Sequence, residues 1–119
     1  MSEAIADLLA TYRLHAAAHA EANDGSAAWV ERVNHAADEM LLIARQVADA
    51  GPDAVARFAG MMHADDPTLS RWAAHHVLDF MDPALPIREA ALGLIERAAV
   101  NDASERLWLE NYRGELQDE

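Results

Sequence analysis

The breaks in this chain constrain its fold more than any motif does. Five glycines and four prolines are the only strong helix breakers, and they fall at intervals, as at Gly25, Gly51-Pro52, Pro67, Pro83-Ala84-Leu85-Pro86 and Gly114. The stretches between them are rich in alanine, with 27 in all, and their larger apolar residues recur every three or four positions. Alanine is the best helix former, and glycine and proline are the worst. The pattern therefore reads as helices separated by sharp turns. No segment alternates with a period of two, so no strand is expected.

Six helices are expected. The first runs from Ser2 to about Ala22, with Ile5, Leu8, Leu9, Tyr12 and Ala16 on one face and Ser2 as a cap. Asn23-Asp24-Gly25 breaks it. The second covers about Ala27 to Ala50 behind a Ser26 cap, with Trp29, Val33, Ala37, Met40, Ala44 and Val47 as its apolar stripe. Gly51 stops it, and Pro52 opens a third helix reaching about Ala64. Asp66 caps the fourth, whose Leu69, Trp72, Ala73, His76, Val77 and Phe80 share a face. The fifth starts at Pro86 rather than Pro83, because Leu85 precedes a proline and is biased out of the helical region. Its apolar face is Ile87, Ala90, Ala91, Leu94, Ile95 and Ala98. The sixth begins near Asp102, which has capping-box spacing to Glu105. It carries Leu107, Trp108 and Tyr112 and is expected to end at Gly114. Residues 115–119 read as a frayed acidic tail. The 119 residues form one domain on this reading, with residues 1–25 capping one end.

Charge excludes some functions. The net charge is -12, from 21 acids against nine bases, all of them arginine. Such a surface repels phosphate backbones and acidic lipid, so neither nucleic acid nor a membrane is an expected partner, and a basic protein is. No run approaches the ~18 apolar residues of a membrane span. Glu3 and Asp7 occupy the place of a basic signal-peptide n-region, so a cytoplasmic protein is expected. There is no cysteine, which removes disulfides, thiol nucleophiles and Cys-based zinc sites.

Six histidines invite a metal reading. His15 and His19, His35 and Glu39, and His75 and Asp79 are each four apart, and on three helices they could converge in a bundle core. The alternative ligand set is His15, His19, His35, Glu39 and His76. It resembles hemerythrin-like sites, but the order of motifs departs from that family. The competing expectation is structural: His76 joins the apolar stripe of the fourth helix, and His75, ~100° away, points to solvent. Trp29, Trp72 and Trp108 are expected in the core. The chain has no Gly-x-Ser-x-Gly elbow and no phosphate-binding glycine loop, so no catalytic residue or cofactor is assigned.

Asp66-Pro67-Thr68-Leu69-Ser70-Arg71-Trp72-Ala73-Ala74 is echoed by Asp82-Pro83-Ala84-Leu85-Pro86-Ile87-Arg88-Glu89-Ala90-Ala91. In each, Asp-Pro precedes a helix, arginine seals the turn, and an alanine pair permits close helix approach. Together with Asn34, Gly51, Leu107-Trp108 and His63-Ala64-Asp65-Asp66-Pro67, the chain resembles a small bacterial family of uncharacterised HEAT/armadillo-like domains. The resemblance implies an all-α fold, a short α–α superhelix of about six helices, and no established activity. Domains of this kind act by presenting a surface to a protein. The residues expected to make that contact are Asn34, Asp38, Arg71, His75, Asp79 and Arg88. A narrower expectation is an immunity- or antitoxin-like protein that occludes a basic toxin surface.

Overall fold

Three helices start where a side-chain oxygen takes the first free amides. Ser26 Oγ accepts from Trp29 N at 3.0 Å, Asp66 Oδ1 from Thr68 N at 3.0 Å, and Asp102 Oδ1 from Ser104 N at 2.9 Å. A computed structural model describes residues 2–21 and 23–117. It contains α1 (Ser2–His19), α2 (Ala27–Ala50), α3 (Pro52–Ala59), α4 (Pro67–Phe80), α5 (Leu85–Ala99) and α6 (Ala103–Gln117). The chain is all-α: there is no strand among the described residues.

Gly51 has φ of 109° and links α2 to α3, a backbone state that residues with a Cβ rarely adopt. Pro52 then opens α3. Several boundaries differ from expectation. The first helix ends at His19, because the carbonyls of Ala16, Ala17 and Ala18 accept from Ala20 and Glu21 in a closing turn. The third ends at Ala59 and tightens into a 3-10 turn, Gly60–His63. Asp82-Pro83 does not cap α5, so the echo of Asp66-Pro67 is one of sequence only. Ala84 is the N-cap, Pro86 sits in the first turn, and Asp82 instead accepts from Arg88 at 3.3 Å. Gly114 does not stop α6, which runs on to Gln117. A helical glycine costs only ~1 kcal/mol against alanine, too little to end a helix unaided. The cap expected of Ser2 lies outside the described side chains; of the tail expected to fray, residues 115–117 are helical, and residues 118 and 119 lie outside the described residues.

Consecutive helices pack as neighbours: α1 on α2, α4 on α5, and α5 on α6. The fourth helix also touches α1, α2, α3 and the 3-10 turn. The extents, 42 × 40 × 27 Å, describe a slab about two helices thick, a helix being ~10–12 Å across. Tyr12, Met40, Val47, Phe58, Met61, Val77 and Ile95 are fully buried, and Tyr12 meets Phe58 edge to face at 4.9 Å. Each large apolar side chain so buried contributes ~1.5–3 kcal/mol. Buried Ala73, Ala74 and Ala91 keep bulk low on α4 and α5, which pack together. Ala36 rather than Ala37 is fully buried on α2. Leu107 lies 59 % exposed, and Leu109 fills the core position of α6 instead. The three tryptophans are only half-buried. Trp29 Nε1 donates to Glu21 O at 3.0 Å, which keeps its polar edge near the surface.

Candidate functional site

Thr68, Arg71, Trp72 and His75 follow one another at helical spacing and share one side of α4. They line a cleft of about 310 Å³ with Glu105, which α6 brings to them. The capping box read at Asp102 and Glu105 forms by half. Asp102 Oδ1 accepts from Ser104 N and Glu105 N, but the Glu105 carboxylate turns away to α4. Its Oε1 lies 2.7 Å from His75 Nε2 and its Oε2 3.3 Å from Arg71 Nε. Arg71 Nη2 donates to Asp102 Oδ2 at 2.6 Å. Glu105 is buried, and Arg71 and Asp102 are partly exposed.

Electrostatics follow from this geometry. The hydrogen bond from Arg71, helped by the amide of Glu105, holds the Asp102 carboxyl below the usual carboxylate range. The same bond, with the charges of Glu105 and Asp102, pushes Arg71 up. An ionised carboxylate only accepts, so His75 Nε2 carries a proton and donates it to Glu105. Trp108 sets its ring against His75 edge to face at 4.5 Å and stacks on Tyr112. A histidine oriented by a carboxylate is the arrangement of a general base when a substrate proton meets its other nitrogen. Here Arg71 holds the second carboxylate oxygen, so the cluster also ties α4 to α6.

The adjacent His76 faces the interior and is buried. Its Nδ1 lies 2.6 Å from the Tyr12 hydroxyl. Burial, with a smaller contribution from His75, pushes its pKa down to about 4. Burial likewise pushes the Tyr12 hydroxyl up. Both groups are therefore neutral near pH ~7, with the hydroxyl donating to the ring. The partner of His76 is thus a phenol on α1.

The alternative ligand set does not gather. His15 meets His35 edge to face at 5.7 Å, His19 sits against Trp72 at 4.9 Å, and His76 is engaged with Tyr12. Among the described residues, no three His, Asp or Glu side chains are placed to hold one metal ion.

Of the six residues expected to contact a partner, the structure brings together Arg71 and His75. The solvent-facing placement expected of His75 is wrong, because Glu105 reaches it from α6 and takes the ring. Asn34 and Asp38 are exposed on α2, Asp79 is exposed one turn beyond His75, and Arg88 reaches Asp82 near the start of α5. The sequence reading missed Thr68, Trp72 and Glu105 as cleft residues, and Asp102 and Trp108 as their supports. Comparison with protein-family models, curated proteins and solved structures gives no match.

Proposed function

We propose that the chain is a non-enzymatic binding module, a short HEAT/armadillo-like array that presents an acidic surface to a basic protein. The observation that carries this is where the arginines go. Arg32 lies beside Glu21 and Asp24, Arg71 beside Asp102 and Glu105, Arg88 beside Asp82, and Arg113 beside Glu96. Arg106 turns onto the carbonyls of Ala99 and Val100. With nine bases against 21 acids, exposed carboxylates such as Glu31, Asp38, Asp49, Asp53 and Glu89 set the outward field. A field of that sign steers basic surfaces inward and repels nucleic acid.

The exposed side of α2 gives this field a contact surface. Val30, Asn34, Asp38 and Leu42 succeed one another at four-residue spacing, all exposed, with apolar ends and a polar middle. That mixture suits a protein interface better than a bare charged face does. The specific form of the reading is an immunity- or antitoxin-like protein of the cytoplasm that covers a basic toxin surface. Among the described residues, no helix is long and apolar enough to cross a membrane.

The test is affinity capture from the native cell, followed by identification of the partner and a salt titration. A basic partner is expected, with binding that weakens as salt rises and drops roughly tenfold when Asp38→Arg reverses a charge on α2. A neutral or acidic partner, or one whose binding ignores salt, overturns the reading.

A further inference from the structure

We infer that α1 is a proton-released arm: in mild acid it leaves its seat on α2 and α4 while α5 and α6 stay folded. The seam beneath it holds four of the six histidines. Tyr12, His15 and His19 are three and four residues apart and share one side of α1. Each meets a ring on a neighbouring helix, and each pair includes a histidine. The Tyr12 hydroxyl donates to His76 Nδ1 of α4 at 2.6 Å. His15 stands against His35 of α2 with ring centres 5.7 Å apart, and His19 against Trp72 of α4 at 4.9 Å. Trp72 in turn lies 5.5 Å from His76.

The Tyr12–His76 pair is poorly placed to take up a proton while α1 is seated. Both residues are buried. Burial disfavours the charged ring, and the like charge of His75 adds to this. From α3, Phe58 meets Tyr12 edge to face. From α2, Arg45 stands over Phe80, whose ring lies beside His76. From α1, His19 reaches Trp72. On α4 itself, His75 is paired with Glu105 of α6, and Asp79 is exposed. A buried charge so placed is relieved by reaching water. Releasing α1 disturbs the least structure. Among the described side chains α1 buries only Leu9, Tyr12 and Ala16, whereas α2 and α4 each bury six. Its link to α2 runs through Asn23, Asp24 and Gly25, all exposed, with Gly25 at φ of 80°. The fifth helix packs on α4 and the sixth on α5, so neither depends on α1 for its seat.

The experiment is native-state hydrogen exchange of the full chain at pH ~7.5 and ~5, corrected for the intrinsic rate at each pH. With the seated ring at about 4 and the released ring at ~6.5, opening rises tenfold per pH unit between those values, so α1 is expected to open about 30-fold more at pH ~5. At both pH values its amides are expected to exchange faster than the most protected amides of α5 and α6. Low urea is expected to speed α1 less than those amides, because releasing one helix exposes less surface than unfolding the chain. His76→Asn is expected to abolish most of the acid rise, and His35→Gln, at the exposed ring of its pair, to keep it. If His76→Asn fails to fold, Tyr12→Phe decides. It removes the donor that holds the neutral ring, so it is expected to raise α1 exchange at neutral pH and to shrink the acid rise. Exchange of α1 that matches the most protected amides of α5 and α6 in rate and urea dependence overturns the inference, because the chain then opens only as a whole. A rise that survives His76→Asn, a rise that His35→Gln removes, or no rise at all overturns it as well.

Discussion

Mild acid is expected to weaken this protein through His76 before most of its carboxylates titrate. The ring is 6 % exposed, and burial brings its pKa from 6.5 down to about 4. Between those values the unfolded chain takes up a proton that the folded chain refuses. The contribution of this group to stability is therefore complete above pH ~6.5, falls as pH drops towards ~4, and is constant below that. A displacement of one pH unit is worth ~1.36 kcal/mol. The full loss is then about 3 kcal/mol, and about 2 kcal/mol is gone by pH ~5. In urea, where a small domain loses ~1–3 kcal/mol per molar, the midpoint falls by about 1–2 M between pH ~7.5 and ~5. Far-ultraviolet circular dichroism reads this directly in an all-helical chain.

Other groups titrate in the same range, so the decisive comparison is with His76→Asn. Asparagine keeps a hydrogen-bonding group near the position of Nδ1, within reach of the Tyr12 hydroxyl, and cannot titrate. The variant is expected to be less stable at both pH values, because it underfills the site, yet to lose most of the pH dependence. A His76→Asn protein that retains the wild-type slope would refute the reasoning. So would a wild-type midpoint that does not move.

Two glycines make opposite predictions. Gly114 is helical with open space around its missing Cβ, so Gly114→Ala raises stability by ~0.5–1 kcal/mol. Gly51 has φ of 109°, so Gly51→Ala lowers stability by ~1–3 kcal/mol. Thermal melts that move in the same direction for both contradict the assignment of their backbones. Arg71→Ala removes the guanidinium that joins Asp102 and Glu105 to α4, and it lowers stability by about 1–2 kcal/mol. The partial exposure of the pair screens it and keeps the effect below that of a fully buried ion. Adding Glu105→Ala should then cost less than it does in the wild-type background, which a double-mutant cycle by urea titration measures. Chelator is expected to leave the melting temperature unchanged, since the histidines do not converge. A fall in melting temperature on chelation would show that they do.

The fold was largely legible because its signals are local. Ser26, Asp66 and Asp102 cap helices by chemistry that acts over three residues, and proline at the first turn of α3 and α4 is equally short-range. The apolar spacing of Tyr12, Met40, Phe58 and Val77 identified residues that are fully buried. The failures also have local causes. Gly114 was read as a stop from residue type alone, although only a left-handed backbone makes glycine necessary. Asp82-Pro83 repeats Asp66-Pro67 in sequence, but the cap depends on which carbonyl and amide the following residues offer. The start expected at Pro86 falls one residue earlier, at Leu85, so the residue before the proline is helical after all.

The site was only half legible, and His75 shows why. Helical geometry correctly separates His75 from His76, one facing the Tyr12 core and the other away from it. Facing away from one core does not mean facing water. A third consecutive helix can return over the outer side of α4, and sequence spacing within α4 carries no information about that return. A cross-helix pattern does carry it. Arg71 and His75 are four apart, and Asp102 and Glu105 are three apart on a later helix. Each pair is one turn long, and the two have opposite chemistry. Pairs of that kind cannot satisfy each other within one helix, so complementary one-turn pairs on helices two apart are a contact signal that apolar periodicity never samples. In this chain that signal marks the cleft, because Arg71, His75 and Glu105, which join α6 to α4, also line the gap between them.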